Sequence, residues 1–331
     1  MIICRTPFRI SFFGGGTDYP IWFQEHGGAV LATSINKYCY LSCRKLPPFF
    51  EHKSRIVWSK IERVKSHNDI QHPVVRAVCQ FLQVEDGLEI HHDGDLPARS
   101  GLGSSSSFTV GLLNALHAYK GTMSEKKRLA SEAIYVEQNI LGENVGCQDQ
   151  IASAFGGFNK ISFSPNSDFS IAPIIFPKER LGLFQQHLLL FFTGFTRTAS
   201  TIAEKQIKET PKKELELRKM LGMVDEAIDI LCRQGDVSDF GTLLNESWML
   251  KKSISDQIST PAIDEIYRTG INAGALGGKI LGAGGGGFLL FFAKPENHSK
   301  IISALNGLLN VPFEFEKSGS QIIFYETDNY N

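Results

Sequence analysis

The chain has 331 residues, with 34 Lys and Arg against 35 Asp and Glu, so it carries no whole-chain field for nucleic acid or an anionic membrane. A hydrophobic share of 42% and a charged share of 21% are those of a globular protein with a buried core, and the length suits two domains. The six cysteines (Cys4, Cys39, Cys43, Cys79, Cys147 and Cys232) contain no C-x-x-C pair, which speaks against a zinc or dithiol site and suits reduced thiols in the cytosol.

Arg5 and Arg9 interrupt the first apolar stretch, so a signal peptide is not expected, and no apolar run approaches the ~20 residues of a membrane span. The chain opens with an alternating strand (Ile2, Cys4, Phe8, Ile10, Phe12) broken by Gly14-Gly15-Gly16. A β-branched and aromatic stretch from Gly28 to Lys45 predicts a second strand. Residues 47–72 read as loops around a short strand at Ile56-Val57-Trp58. A helix over Pro73–Val84 and a strand over Leu88–His92 follow, then helices over Phe108–Tyr119, Ser124–Leu141 and a short stretch from Gly146 to Gly156.

The composition shifts near residue 180, and residues 176–186 read as the joint between two halves. Beyond it, a buried-type strand (His187–Phe192) precedes amphipathic helices over Pro211–Arg233, Phe240–Ser253 and Pro261–Ala275. Strand-like Ile280-Leu281 and Phe288–Phe292 flank a glycine run. A helix over Pro295–Leu309 and strands over Val311–Phe315 and Gln321–Tyr325 close the chain. The order is α+β, with domains expected at residues 1–180 and 181–331.

Three glycine-rich segments carry the chemistry. Gly282, Gly284 and Gly287 form a literal G-x-G-x-x-G, but Phe288-Leu289-Leu290-Phe291-Phe292 after it is a strand, whereas a dinucleotide fingerprint opens a helix. It reads as a loop needing close backbone approach, or as a long hairpin turn. Gly101-Leu102-Gly103-Ser104-Ser105-Ser106 does open a helix. Free N–H groups at a helix start make an anion site, and serine hydroxyls suit a hard cation. It lacks the lysine of a P-loop, and a serine helix cap is the alternative reading of the segment alone. The third segment is Arg9-Ile10-Ser11-Phe12-Phe13-Gly14-Gly15-Gly16-Thr17-Asp18-Tyr19, whose Asp18 alone could be a turn residue.

Taken together and in this order, the three segments resemble those of the galactokinase, homoserine kinase, mevalonate kinase and phosphomevalonate kinase superfamily, the GHMP kinases. The central P-x-x-x-G-L-G-S-S pattern (residues 97–105) is the most specific, and the likeness runs from residue 5 to residue 293. The galactokinase motif P-G-R-x-N-L-I-G-E-H-x-D-Y is matched at Pro7, Arg9, Gly14, Asp18 and Tyr19, with Gly15-Gly16 in place of Glu-His. R-I-S-F-x-G-G-G-T-D-Y-P looks closest to D-glycero-D-manno-heptose 7-phosphate kinases, with fucose kinases as relatives.

The resemblance implies an N-terminal ribosomal-protein-S5-domain-2-like domain, a ferredoxin-like C-terminal domain and an active site between them. It implies ATP and Mg²⁺ as cofactors, a sugar phosphate as partner, a cytoplasmic monomer or homodimer, and a role in activated heptose for bacterial surface polysaccharide. Pro97, Ser100, Gly101, Leu102, Gly103, Ser104, Ser105 and Ser106 would bind nucleotide. Ser105 and Glu137 would hold the metal. Asp149 would orient the attacking hydroxyl, paired with Arg9, and Asp18, Gly15, Gly16, Thr17, Arg197, Gly284 and Gly285 would bind the acceptor. The acceptor's phosphate calls for cations, with Arg5, Lys178, Arg197 and Lys279 as candidates. Alternatives are a fucose-type anomeric kinase and a non-catalytic sugar sensor. His91-His92-Asp93 and Asp95 read as a solvated turn, and Phe288, Phe291 and Phe292 as core.

Overall fold

The computed structural model describes residues 1–194, 199–233 and 235–326, except for the side chains of 199–201. Its first layer is a sheet built on β1 (Ile2–Phe13) and a short helix α1 (Pro20–His26), then β2 (Gly28–Lys45) and the hairpin β3 (Ser54–Val57) and β4 (Ile61–Val64). After α2 (Pro73–Phe81) comes β5 (Leu88–Gly94), then α3 (Ser104–Tyr119), α4 (Lys126–Tyr135), α5 (Gln148–Phe155) and the hairpin β6 (Phe158–Phe163) and β7 (Phe169–Pro173).

β1 and β2 run antiparallel from Ile2 opposite Cys43 to Phe13 opposite Leu31, and the ladder shifts between Pro7 and Phe8, where proline offers no donor. From Thr6 onward β1 is buried on both faces. One face lies under α3, whose residues from Ser106 to His117 are all buried. A helix covered all round belongs inside the molecule.

The second half contains α6 (Lys178–Gln186), β8 (Leu188–Phe192), α7 (Ala199–Glu209), α8 (Glu214–Cys232), α9 (Ser238–Ile254), α10 (Pro261–Asn272), β9 (Ala275–Ile280), β10 (Phe288–Ala293), α11 (His298–Ala304) and β11 (Leu309–Asn310). Its antiparallel sheet has the order β11-β8-β10-β9. With helices after β8 and after β10, this is the βαββαβ plan of a ferredoxin-like domain. The chain then crosses back: β12 (Phe315–Glu316) pairs with β2, and β13 (Gln321–Tyr325) pairs with β1.

Several elements differ from those read in the sequence. The joint read over residues 176–186 holds a helix, α6, that was not read in the sequence. Its sequence is polar apart from Leu181, Leu183 and Phe184, and only Phe184 is buried outright. That ring lies 4.7 Å from Phe240, 5.7 Å from Phe12 and 5.6 Å from Phe292, so one side chain welds both sheets to α9. Burying such a ring contributes about 1.5–3 kcal/mol, and each well-placed aromatic pair adds about 0.5–1.5 kcal/mol.

The hairpin β6–β7 was not expected, because β7 is largely exposed and presents no apolar run. α1 is too short for its period to show. Of the strand expected over Val311–Phe315 only Phe315 pairs, in the two-residue β12, with β11 lying just before it, and the helix expected over Pro295–Leu309 is α-helical only in α11. The helix over Ser124–Leu141 ends in a π turn at Val136–Ile140.

Candidate active site

Local backbone requirements build the site first. Gly103 takes a left-handed conformation (φ 77°) and becomes the N-cap of α3, with no side-chain cap. The serine cap expected from the sequence is absent, because Ser104 Oγ instead accepts from the Arg99 N–H at 3.1 Å. The first-turn N–H groups are thus left uncapped by side chains, and the positive end of the helix faces outward. Ser100 Oγ, fully buried nearby, has no hydrogen-bond partner among the described residues. Pro97 is exposed at the rim, and Leu102 is a core side chain whose carbonyl accepts from the Arg9 N–H.

The C-terminal glycine loop lies directly on this turn. A Cβ on Gly101 would stand 2.3 Å from Leu281 O, and one on Gly287 2.2 Å from Ser100 O, closer than any real side chain comes. The Phe288 N–H donates to Ser100 O at 3.1 Å. The middle of the loop is tied elsewhere: Gly285 N–H donates to Ile258 O, and a Cβ on Gly284 would meet that carbonyl at 2.6 Å. Gly285 therefore has no free donor for an acceptor, contrary to expectation, and Gly284 faces the α9–α10 connection.

The N-terminal motif meets the loop through Arg9. The guanidinium, 2% exposed, grips Asp149 as a fork, with Nε to Oδ1 at 2.7 Å and Nη2 to Oδ2 at 2.9 Å. Its remaining nitrogen donates to Gly101 O at 2.7 Å. Such bidentate pairs fix geometry as well as charge. Asp149 sits in the first turn of α5, and the Cys147 N–H just before it donates to Asp18 O at 3.0 Å. This brings the two aspartates together.

Asp18 Oδ1 accepts from the Gly16 N–H at 2.9 Å, and burial pushes its carboxyl above the usual range. Gly15 stays open, its missing Cβ 3.9 Å from both Ser11 Oγ and Gln148 Nε2. Thr17 does not face the cleft. Its fully buried hydroxyl closes the turn onto Gly14 O and Ala29 O, both at 2.9 Å. Gly146 is required by close approach, since a Cβ there would lie 1.9 Å from Asp18 Oδ2. Gly146→Ala is therefore expected to displace Asp18 and raise the acceptor KM about tenfold or more while leaving ATP KM near normal. Steady-state kinetics on both substrates checks this split.

Glu137 lies in the π turn after α4, a feature frequent at functional sites. It is 1% exposed, and burial lifts its carboxyl to about 7 against the lowering effect of the neighbouring Thr109 hydroxyl and of hydrogen bonds from Gln150 and Ser106. Oε2 accepts from Ser106 Oγ at 2.9 Å and from Gln150, Thr109 Oγ1 donates to Ser105 O at 3.2 Å, and among the described residues Oε1 has no partner. Ser105, expected beside Glu137, is exposed and makes no such bond. Helical spacing turns Ser106 inward with Val110 and Leu113 instead.

Two residues complete the cleft. Lys279 Nζ donates to Phe12 O at 2.7 Å and Lys251 Nζ to Gly282 O at 2.6 Å, both from buried positions. Burial lowers both ammonium groups, Lys251 to about 8, and Asp18 opposes the shift in each. Lys251 was missed, although it falls on the apolar stripe of α9 (Leu244, Trp248, Lys251), where a charge calls for explanation.

Of the other candidate cations, Arg5 donates to Gln321 and stacks on Tyr38, and Lys178 is exposed at the start of α6. Arg197 lies outside the described residues. Asp95 accepts from the Tyr38 N–H, and among the described residues no three His, Cys, Asp or Glu converge as metal ligands. Phe288, Phe291 and Phe292 are core.

Two sheets meeting over an uncapped helix start, with a ferredoxin-like second sheet, make a fold that known proteins share. A profile of the GHMP kinases N terminal domain matches residues 69–157, and one of the GHMP kinases C terminal domain matches residues 227–310. The chain belongs to the GHMP kinases.

Among relatives, it is 31% identical to D-glycero-alpha-D-manno-heptose 7-phosphate kinase of Campylobacter jejuni, over 95% of this chain and 96% of that one. The solved structure of a D-glycero-D-manno-heptose 1-phosphate kinase from Bacteroides thetaiotaomicron superposes with a TM-score of 0.78 at 23% identity, covering 99% of this chain and 100% of that one. Galactokinase of Lactococcus lactis with bound galactose gives a TM-score of 0.75 at 20% identity, covering 97% and 94%. At those identities the two structures speak to fold alone. No helix among the described residues is long and apolar enough to cross a membrane.

Proposed function

We propose that the chain is an ATP-dependent sugar kinase that phosphorylates the anomeric hydroxyl of D-glycero-D-manno-heptose 7-phosphate, giving the 1,7-bisphosphate. The activated heptose route to bacterial surface polysaccharide would consume that product. One observation carries the reading: the Arg9 fork joins Asp149 to Gly101 O, so the residue that would aim an acceptor oxygen is fastened to the loop that would hold the triphosphate. The named relative in Campylobacter jejuni supports the choice of acceptor.

Phosphoryl transfer asks for positioning and charge neutralisation more than for covalent help. In this reading the uncapped first turn of α3 receives the β- and γ-phosphates. Asp149 accepts a hydrogen bond from the anomeric hydroxyl and holds it in line. Arg9 neutralises charge gathering on the moving group. Asp18, buried and fixed by Gly16, accepts from sugar hydroxyls.

The residues present fit a magnesium ion: among the described residues Glu137 Oε1 is a buried carboxylate oxygen without a partner, and Ser106 and Ser105 bring hydroxyls to the same helix start. Magnesium takes one or two carboxylates plus substrate phosphates, and there it would supply charge neutralisation. Glu137→Gln is expected to raise the Mg²⁺ concentration needed for half-maximal rate roughly tenfold or more. An unchanged metal titration would remove Glu137 from this role.

The test of the acceptor is a panel of free and phosphorylated sugars with Mg-ATP, read by phosphorus NMR. A new anomeric phosphate on heptose 7-phosphate, with L-fucose and galactose poor or inert, is the expected result. Preferential turnover of L-fucose would replace this reading with the fucose-type one.

A further inference from the structure

If the acceptor is a sugar phosphate, its phosphate calls for cations, and among the described residues Arg5 is engaged with Gln321 and Tyr38 and Lys178 is exposed on α6. Lys279 and Lys251 instead lie buried near Asp18 and Arg9, 3% and 6% exposed. Each ammonium has three N–H donors, and among the described residues each gives one to a carbonyl, Phe12 O and Gly282 O respectively. A buried lysine held by one carbonyl is costly unless an anion completes it. Three cations (Arg9, Lys251 and Lys279) face two carboxylates (Asp18 and Asp149), and Arg9 already occupies Asp149 as a fork. The region is short of negative charge.

Among the described residues, two buried polar side chains without a hydrogen-bond partner lie along the neighbouring N-terminal motif. Gln206 of α7, 1% exposed, has Nε2 without a hydrogen bond, 2.8 Å from where a Cβ on Gly16 would stand. Ser11 Oγ, 4% exposed, is also without one, 3.9 Å from the corresponding point on Gly15. Ser11 directly precedes Phe12, whose carbonyl holds Lys279. Two ammonium groups, an amide donor and a hydroxyl are the chemistry that recognises a phosphate monoester. Ser11 and Gln206 lie beside Gly15 and Gly16 of the N-terminal motif and Lys279 is held by Phe12 O of the same segment, while Lys251, on Gly282 O, stands between that motif and the glycine turn before α3.

We propose that Lys279 and Lys251, with Gln206 and Ser11, form the seat for the phosphate that the acceptor already carries. They thereby set the preference for a phosphorylated over a free sugar. This rests on the reading of the acceptor as a sugar phosphate.

The probe is inorganic phosphate, titrated calorimetrically into the full chain saturated with Mg²⁺ and a non-hydrolysable ATP analogue. The wild type should bind it, and Lys279→Met and Lys251→Met should each weaken binding roughly 10- to 100-fold, the size of one charge-assisted hydrogen bond. Affinity for the ATP analogue, measured separately, should hold and also reports that the variants fold. The same variants should lower the ratio of kcat/KM for phosphorylated over free sugar by a like factor. Phosphate binding untouched by both variants, or a loss of analogue affinity instead, would overturn the proposal. If wild type binds phosphate through the lysines yet turns over only free sugars, the anion site is real but the acceptor reading falls, and with it the assignment of the site to the acceptor's phosphate. If the variants use heptose 7-phosphate as well as wild type does, the seat falls and the acceptor reading stands.

Discussion

Asp149→Asn should bind ATP within a few-fold of wild type and lose turnover by about 10²- to 10⁴-fold, the contribution typical of a positioned acid–base group. The substitution keeps the shape of the side chain. It removes one carboxylate oxygen and the charge facing the Arg9 fork, where both bonds are now 2.7 and 2.9 Å. Arg9 would keep Gly101 O, so the glycine–serine turn should stay in place. A fall in kcat without a matching rise in ATP KM is therefore the signature, and single-turnover kinetics with a binding isotherm measures it. A variant with near-normal kcat would remove Asp149 from the reaction.

Gly101→Ala should be among the most damaging single-atom-group additions available in the chain. Gly101 sits at φ 83°, and its missing Cβ would lie 2.3 Å from Leu281 O and 2.9 Å from Leu281 C, both backbone atoms that cannot rotate away. The left-handed conformation alone costs an alanine about 1–2 kcal/mol. Prying apart the two glycine loops adds to that, and a total above about 3 kcal/mol places the substitution in the range tied to backbone and packing failure. Gly121→Ala separates the two terms: φ is 71° there and nothing lies within 4 Å. It should cost only the conformational part and keep activity. Denaturant unfolding together with nucleotide affinity reads both variants. Equal losses at the two positions would mean that the loops do not depend on each other as the contacts require.

The parts of the site that were legible are those imposed locally. The three glycine segments announce themselves because only glycine tolerates the backbone approach between residues 100–101 and 281–287. The long strands, the covered helix α3 and the amphipathic α8 and α9 follow from apolar periodicity. What joins them was not legible by spacing. Arg9 and Asp149 are 140 residues apart, and only the family likeness suggested that they meet.

Ser106 rather than Ser105 faces Glu137 because the helix starts at Ser104, and a one-residue uncertainty in that start turns the face by 100°. α6 read as a joint because polar residues surround Phe184, and its place in the aromatic cluster depends on partners from β1, α9, β10 and β12. The return of β13 to β1 has no local signal, since edge pairing is decided by the sheet already formed. Lys251 had one, as a charge on an apolar stripe, and it went unread.

The most direct measurement is a crystal structure with Mg²⁺ and a non-hydrolysable ATP analogue. The β- and γ-phosphates should lie against the backbone N–H groups at the start of α3, within residues 101–106, with the γ-phosphate turned toward Arg9 and Asp149. A triphosphate seated away from that turn would contradict the assignment of nucleotide, metal and acceptor sites together.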